Sequence, residues 1–230
     1  MQKVVLVTGA AGNLGKAVSD KMIGNGYHVT GIVSPRTPSE FVHSTNMEIF
    51  QADLGDESSI REILQRIFDK YPVIDGAVLT AGGFSMGNLR KTGKNELDKM
   101  FRKNFESAYF TAREVFQKME EQGTGGRIFF IGAKPALIPS AGKKSIAYSL
   151  SKSLLFGLSD LINEEGNKKD IHSTVIVPSI IDSPANRESM PDADFSKWVT
   201  PEVIAENISF LLSDAGRSQR QPVIRIFGES

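Results

Sequence analysis

Short apolar runs alternate with amphipathic helical patterns along the whole chain, and this alternation restricts the possible folds more than any other feature. The apolar runs lie at residues 4–7, 28–33, 47–50, 74–79, 127–131, 173–177 and 223–227. The helical patterns lie between them, at residues 15–25, 58–70, 94–122, 147–165 and 201–213. Because continuously apolar strands are typical of a sheet covered on both faces, the alternation predicts an α/β fold with a doubly wound, seven-stranded parallel sheet.

Length and linker composition predict a single domain. The chain has 230 residues, and no stretch rich in proline, glycine and serine divides it, so we expect one domain over residues 1–230. Two stretches have the composition of loops, residues 34–43 and 178–198. The second contains three prolines and is long for a connection, so we expect it to form a substrate lid.

Charge and composition exclude several functional classes. Lysines and arginines number 27, as do aspartates and glutamates, and this balance counts against a nucleic-acid binder. The absence of cysteine excludes disulfide scaffolds and zinc–thiolate sites, and His28, His43 and His172 are too scattered to predict a metal site. No run approaches the length of a membrane span and the first residues do not resemble a signal peptide, so we expect a cytoplasmic protein without membrane association.

A glycine-rich turn follows the first predicted strand and precedes the first helical pattern. Its residues are Gly9, Ala10, Ala11, Gly12, Asn13, Leu14 and Gly15. A dinucleotide diphosphate can approach a helix amino terminus only where no Cβ blocks the backbone. The turn therefore predicts a dinucleotide site in a Rossmann-like fold with strand order 3-2-1-4-5-6-7. A tight strand-to-helix turn without a ligand is the alternative.

Two further strand ends carry residues suited to a dinucleotide. Asp53 and Leu54 follow the third predicted strand, where a carboxylate can accept a hydrogen bond from an adenine amino group. A helix cap is the alternative for Asp53. Ala81, Gly82 and Gly83 follow the fourth strand, where small residues allow a cofactor ribose to approach the backbone, and an ordinary turn is the alternative.

A tyrosine and a lysine lie one helical turn apart. Tyr148 and Lys152 share one face of the fourth helical pattern. A nearby ammonium group favours the phenolate, lowers the tyrosine pKa from about 10 and makes the side chain a usable general acid or base. This spacing is common by chance, but its position after the fifth strand of a dinucleotide fold predicts a catalytic pair.

Together these motifs resemble those of the short-chain dehydrogenases/reductases over essentially the full length of the chain. The resemblance rests on TGAAGNLG, Asp53-Leu54, TAGG, Asn104, YSLSK and the stretch from Pro178 to Ser183. It implies an NAD(P)-dependent oxidoreductase in which Tyr148 donates a proton. It further implies that Lys152 assists Tyr148 and binds the nicotinamide ribose, and that Asn104 holds a relay water.

The motifs and the resemblance also define the expected cofactor site. Gly9, Gly12, Leu14 and Gly15 would hold the diphosphate, and Ile181 and Ser183 the carboxamide. The full set of expected cofactor contacts is Gly9, Gly12, Asn13, Leu14, Gly15, Ser34, Arg36, Asp53, Leu54, Ala81, Gly82, Gly83, Tyr148, Lys152, Pro178, Ile181 and Ser183.

One position departs from the family pattern. The family usually ends its fifth strand with a serine that hydrogen-bonds the substrate carbonyl, whereas this chain has Ala133. Ser140 and Ser145 follow, but either would need an unusual loop path to replace that serine. Residues 82–84, 132–134 and 184–198 resemble dihydropteridine reductases, a subgroup that also lacks the serine. We therefore expect hydride transfer to an electrophilic small molecule: a quinonoid dihydropterin, a quinone or an activated carbonyl compound.

The end of the second predicted strand favours NADP(H) over NAD(H). An NAD site usually has a carboxylate there, which accepts a hydrogen bond from the ribose 2′-hydroxyl. This chain has Ser34 and Arg36 instead, and both could bind a 2′-phosphate. A solvated loop arginine is the alternative. Dihydropteridine reductases keep an acid at this place, so the chain departs from them here.

The same sequence leaves two other functions open. Ala133 leaves open a non-catalytic NADP(H)-binding sensor or scaffold. Residues 83–87 match the G-x-S-x-G nucleophile elbow, which leaves open a serine hydrolase using Ser85 and His172.

The helical patterns at residues 94–122 and 147–165 are more apolar than one buried face requires, and family members commonly pair these helices. We therefore expect a homodimer or homotetramer.

Overall fold

The computed structural model of the protein describes residues 2–38 and 46–229. His43 and part of the loop predicted at residues 34–43 lie outside this description. The strands are β1 (Val4–Thr8), β2 (His28–Val33), β3 (Met47–Gln51), β4 (Gly76–Leu79), β5 (Gly126–Ile131), β6 (Ile171–Pro178) and β7 (Val223–Ile226). Each strand begins and ends within two residues of the apolar run that predicted it.

Over the described residues, these strands form one parallel sheet in the order β3-β2-β1-β4-β5-β6-β7. The predicted strand order and the Rossmann-like fold class are confirmed. Because all the strands run in the same direction, their carboxyl ends meet at one edge of the sheet, which we call the carboxyl edge. The motifs that follow β1, β2, β3, β4 and β5 are therefore gathered at this edge.

The helices differ from the predicted patterns at residues 94–122 and 178–198, and two short helices at residues 134–142 were not predicted. They are α1 (Asn13–Gly24), α2 (Glu57–Lys70), α3 (Lys94–Phe101), α4 (Ser107–Gln122), α5 (Lys134–Leu137), α6 (Pro139–Gly142), α7 (Ile146–Gly166), α8 (Pro184–Ser189) and α9 (Pro201–Leu212). The helix predicted over residues 94–122 is interrupted by a π turn, Arg102–Glu106, that separates α3 from α4. The loop predicted over residues 178–198 contains α8 and a 3-10 turn at Phe195–Lys197.

Apolar layers pack against both faces of the sheet. One layer joins alternate strand residues, such as Leu6 and Phe130, to α2, α4 and α7. The other joins their neighbours, such as Val5 and Phe129, to α1 and α9. Burial on both faces explains why the strands read as continuous apolar runs rather than alternating ones.

Two other properties concern membranes and metals. None of the helices within the described residues is long and apolar enough to cross a membrane. In the same part of the chain, no three histidine, aspartate or glutamate side chains are grouped so that they could hold a metal ion. The charged cluster around Asp170, which accepts hydrogen bonds from Arg217 and Arg220, precedes β6 and so lies at the amino edge of the sheet.

Candidate active site

The glycine turn between β1 and α1 depends on close backbone contacts. Gly9 has a φ of +66°, and a Cβ there would lie 3.0 Å from the Ala81 nitrogen. A Cβ on Gly15 would lie only 2.2 Å from the Gly9 carbonyl oxygen. Gly12 donates its N–H to that same oxygen at 2.9 Å, which closes the turn. Glycine is therefore required at two of these positions by sterics and backbone geometry.

The amino terminus of α1 is free to bind an anion. Gly12 precedes the helix without a side-chain cap, and the first turn contains no acidic residue. Gly12 and Asn13 are exposed, whereas the side chain of Leu14 is buried beneath the helix. The backbone N–H groups of this turn can thus donate hydrogen bonds to a diphosphate, and the turn fits the phosphates of a dinucleotide.

Asp53 lies in the turn between β3 and α2. Its Oδ1 accepts a hydrogen bond from the Gly55 N–H at 2.9 Å. The cap of α2 is Asp56, whose carboxylate accepts the Ser59 N–H at 3.0 Å. Asp53 is therefore not the helix cap, which removes that alternative, while Leu54 packs against the core beside it.

Ser34 and Arg36 directly follow β2, and β2 is the neighbour of β1 in the sheet. Both residues are exposed, and the Arg36 N–H donates to the Ser34 hydroxyl at 3.3 Å. The Ala10 N–H donates to the Ile32 carbonyl oxygen at 3.2 Å, which ties the glycine turn to the end of β2. The sheet thus brings the two residues expected to select the cofactor next to the turn expected to hold its phosphates.

Asn104 and Lys152 meet over the glycines that follow β4. A Cβ built on Gly82 would lie 2.7 Å from Asn104 Oδ1 and 3.4 Å from Lys152 Nζ. The Gly83 N–H donates to Asn104 Oδ1 at 2.8 Å. A Cβ at this position would displace the Asn104 amide, so Gly82 has a steric role beyond that of an ordinary turn.

Burial shifts the pKa values of the predicted catalytic pair in opposite directions. It raises the pKa of Tyr148 to about 12 and lowers that of Lys152 to about 8, because both charged forms lose hydration. Lys152 Nζ donates to the Ile131 carbonyl oxygen at 2.6 Å. The expected lowering of the Tyr148 pKa by Lys152 is not found in the free protein, where desolvation is the cause of the shift.

The π turn places Asn104 at the centre of the site. Asn104 is 1% exposed although it lies within a polar stretch of sequence. Its Nδ2 donates to the Ser151 hydroxyl at 3.0 Å, and its Oδ1 accepts the Gly83 N–H. Single π turns occur often at functional sites, because the extra residue redirects side chains.

Ala133 is buried at the carboxyl end of β5, where it precedes α5. The two serines that follow it in the sequence have different surroundings. Ser140 is exposed on α6. Ser145 is buried, and its hydroxyl lies 3.3 Å from that of Ser149 and 3.5 Å from the Gly142 carbonyl oxygen. The hydroxyl of Ser145 is thus engaged at the start of its own helix.

Residues 178–198 leave the sheet after β6 and return to it at their end. Pro178 closes β6, and Val199 exchanges backbone hydrogen bonds with Ile180 and Asp182. Asn186 on α8 reaches back to both predicted carboxamide contacts. Its Nδ2 donates to the Ile181 carbonyl oxygen at 2.7 Å, and its backbone N–H donates to the Ser183 hydroxyl at 3.3 Å.

The geometry around Ser85 excludes the hydrolase hypothesis. A nucleophile elbow needs a sharp strand-to-helix turn, whereas Ser85 lies in an extended loop and α3 begins only at Lys94. Gly87 pairs with the start of α7 instead, accepting the Ile146 N–H at 2.9 Å. His172 is the second residue of β6, at the opposite edge of the sheet from that loop. Ser85 and His172 therefore cannot form a catalytic pair.

Three further residues of the site lie within the quoted motifs, but the sequence assigned no role to them. Phe84 packs its ring against that of Tyr148, edge to face, with centroids 4.9 Å apart. Ser151 contacts Asn104, and Asn186 contacts the Ile181 carbonyl oxygen. Ser151 belongs to YSLSK, and its place as a polar residue inside an apolar helical face is the sequence feature that indicates a role for it.

Comparison with known proteins agrees with this geometry. The family model described as short chain dehydrogenase matches residues 3–194. A dihydropteridine reductase from Dictyostelium discoideum is 29% identical over 215 residues, which cover 90% of this chain and 87% of the relative. An acetoacetyl-CoA reductase from an Acinetobacter species is 25% identical over 231 residues, covering 94% of this chain and 92% of the relative.

A solved structure has the same fold over nearly the whole chain. The structure of ElxO with NADP bound superimposes with a TM-score of 0.88 at 26% identity, covering 99% of this chain and 98% of ElxO. This protein belongs to the short chain dehydrogenase family and is an NAD(P)-dependent oxidoreductase.

Proposed function

We propose that the protein reduces an electrophilic small molecule, with Tyr148 as the proton donor. The substrate classes that fit are a quinonoid dihydropterin, a quinone and an activated carbonyl compound. The observation that carries this proposal is the meeting of Asn104 and Lys152 over Gly82, one helical turn from Tyr148, in a chain with Ala133 at the usual serine position.

The residues at the carboxyl edge suit a nicotinamide dinucleotide. The glycine turn, residues 9–15, would hold the diphosphate, and Asp53 would face the adenine. Residues 81–83 would border a ribose, and Ile181 and Ser183 would bind the carboxamide in exchange for contacts that Asn186 makes now. When bound, the nicotinamide supplies the hydride.

The chain itself supplies the proton. A pKa of about 12 keeps Tyr148 protonated at neutral pH, which is the form a proton donor needs. As the proton leaves, the Lys152 ammonium stabilises the phenolate. Asn104, which is fixed by hydrogen bonds on both sides of its amide, would hold the water that returns a proton to Tyr148.

Ala133 narrows the substrate to compounds that need little polarisation. Its methyl group cannot donate a hydrogen bond to a developing oxyanion, and loss of one such donor typically slows a reaction by about 10²–10³-fold. An electron-poor acceptor can react without that donor, whereas a simple ketone depends on it. The absent hydroxyl thus favours activated acceptors over ordinary alcohol–ketone pairs.

A substrate panel tests the proposed function. The purified protein would be assayed with NADPH and NADH against quinonoid dihydropterins, quinones, α-dicarbonyl compounds, enones and simple secondary ketones. We expect turnover of at least one activated class, and slower turnover of the simple ketones. Simple ketones reduced as fast as the activated acceptors would contradict the proposal.

The reducing activity should decline in alkaline solution. Burial lowers the pKa of Lys152 to about 8, so its charge is lost above that pH and the phenolate of Tyr148 loses its support. Because kcat/KM for NADPH reports groups of the free enzyme, its pH profile should fall with an apparent pKa near 8. A flat profile between pH 7 and 9.5 would show that Lys152 has no such role.

We propose NADP(H) as the preferred cofactor, with Ser34 and Arg36 binding the 2′-phosphate. Arg36→Ala should weaken NADPH binding by about 1.5–3 kcal/mol, the usual range for a charged hydrogen bond, and leave NADH binding nearly unchanged. Isothermal titration with both cofactors measures the two affinities. The exposed Arg66→Ala variant on α2 is a control for loss of surface charge, and equal wild-type affinities for NADPH and NADH would contradict the assignment.

We propose a homodimer formed through α7. Leu150, Leu154 and Leu161 are exposed on this helix, the last of them by 71%. Gly157 falls on the same stripe, and a Cβ there would meet nothing within 4 Å. The steps of four, three and four residues are those of a helix-pairing seam, with Gly157 allowing close approach.

A charge in this seam should separate the subunits. Leu154→Glu should convert the wild-type oligomer to monomers in light scattering at micromolar concentration, because pairing would bury an uncompensated carboxylate. Val203→Glu tests the exposed face of α9, which also carries Phe210. If that variant turns a tetramer into a dimer, α9 forms the second interface. A wild-type monomer would contradict both assignments.

We propose that residues 178–198 form the substrate lid of a single domain that spans residues 1–230. Contacts within the segment support a unit that can move as one piece. Arg187 forms two hydrogen bonds to the Asp182 carboxylate, at 2.6 and 2.7 Å, and lies 4.8 Å from the centre of the Phe195 ring. The paired backbone at Ile181 and Val199 forms a narrow base for this segment.

A cofactor-binding sensor or scaffold is the second candidate, and Ala133 is the residue that favours it. The Tyr148, Lys152 and Asn104 side chains favour catalysis instead. The two functions differ in one result, because a sensor would bind NADPH yet reduce no acceptor in the panel.

A further inference from the structure

Ser151 lies between the two predicted catalytic residues of α7 and has no role in the mechanism above. It is completely buried. Its hydroxyl accepts a hydrogen bond from Asn104 Nδ2 at 3.0 Å and donates one to the Tyr148 carbonyl oxygen at 2.8 Å. The hydroxyl thus joins the π turn to the helical turn that carries Tyr148.

This contact completes a chain of three hydrogen bonds. The Gly83 N–H donates to Asn104 Oδ1, Asn104 Nδ2 donates to Ser151, and Ser151 donates to the Tyr148 carbonyl oxygen. The chain connects three segments: the loop after β4, the π turn and α7. That loop also carries Phe84, whose ring contacts Tyr148.

Without the Ser151 hydroxyl, the amide of Asn104 loses its one strong acceptor among the described residues. The other group near Nδ2 is the Met100 sulfur at 3.8 Å, and a thioether is a weak acceptor. A buried amide N–H without an acceptor costs free energy, so the amide would rotate towards another acceptor. Rotation would also break the bond to the Gly83 N–H.

We propose that Ser151 is a positioning residue that holds the Asn104 amide in the orientation needed for proton return to Tyr148. This inference rests on the proposed function, since it assigns Asn104 to the proton relay. Ser151 touches neither substrate nor cofactor in this role and acts only through Asn104.

The first test measures the amide itself and needs no substrate. In the free protein labelled with ¹⁵N, the Asn104 side-chain amide would be assigned by its loss in Asn104→Ala. We expect it to exchange slowly with solvent in the wild type, and to shift and exchange at least about tenfold faster in Ser151→Ala, as expected for loss of a hydrogen bond. Ser153→Ala is the matched control, because the Ser153 hydroxyl makes the same bond to a carbonyl three residues earlier, at 2.7 Å, without touching Asn104.

The second test measures turnover of the best acceptor from the panel. Ser151→Ala should lower kcat about tenfold with NADPH affinity within twofold of wild type, whereas Ser153→Ala should match the wild type. In the Asn104→Ala background, Ser151→Ala should have no further effect, because its target is gone. Multiplying effects, or an unchanged amide signal in Ser151→Ala, would overturn the inference.

The two proposals fail differently. Full turnover in Tyr148→Phe would overturn the proposed function, and the amide measurement would still decide whether Ser151 holds Asn104. An inactive Tyr148→Phe together with a wild-type kcat in Ser151→Ala would overturn the positioning role alone.

Discussion

Tyr148→Phe is expected to slow turnover of the best acceptor by about 10²–10⁴-fold, the usual contribution of a general acid. The substitution keeps the ring and its edge-to-face contact with Phe84, and removes only the hydroxyl that we propose as the proton donor. Cofactor affinity should therefore stay within about twofold of wild type by titration. Steady-state kinetics with NADPH measures the loss, and full activity would mean that another group donates the proton.

A matched tyrosine variant separates this result from a general loss of structure. Tyr109→Phe removes a tyrosine hydroxyl from the partly exposed side chain on α4, and we expect wild-type activity from it.

Ala133→Ser restores a donor at the end of β5. It should accelerate reduction of a simple ketone more than that of an activated acceptor, because only the ketone depends on that hydrogen bond.

Gly15→Ala should weaken both the fold and the cofactor site. Its Cβ would lie 2.2 Å from the Gly9 carbonyl oxygen and 2.9 Å from the Ala10 Cα, so the backbone of the turn itself must move. Overpacking of this kind costs about 1–3 kcal/mol of unfolding free energy. Because the same turn would receive the diphosphate, NADPH affinity should fall at least about tenfold, or 1.4 kcal/mol.

Gly24→Ala provides the matched control at the other end of the same helix. A Cβ there would meet nothing within 4 Å, so the change should be neutral or stabilise the protein by up to about 1 kcal/mol. Urea unfolding and titration with NADPH measure both variants. If Gly15→Ala matches Gly24→Ala in both measurements, the close packing of the turn has no importance for either property.

Much of the fold was predictable because its information is local. Strands buried on both faces must be apolar at every position, and the seven runs therefore matched the strands within two residues. The glycine turn was predictable for a similar reason, since the φ of Gly9 favours glycine and the contact at Gly15 requires it. The hydrolase motif at Ser85 was misleading because five residues of matching letters do not specify the turn on which that chemistry depends.

The interruption of the helix over residues 94–122 could not be predicted in this way. A π turn adds one residue to a helical turn, and the apolar spacing on either side still fits a helix. Asn104 is buried within that turn, and its position relative to the predicted catalytic pair followed only from the structure. The short helix α8 was missed because the three prolines of residues 178–198 suggest a loop. Pro184, however, occupies the first helical turn, where proline is tolerated.

By itself the sequence determined the order of the elements, the glycine turn and the residue types at the site, because each depends on neighbours a few positions apart. Only the tertiary structure decided how those residues act together. Asn104 and Ser151 are 47 residues apart in the chain and share a hydrogen bond. The direction of the Tyr148 pKa shift likewise depends on burial by segments far away in sequence, since desolvation is set by everything that packs around a group rather than by the motif that contains it.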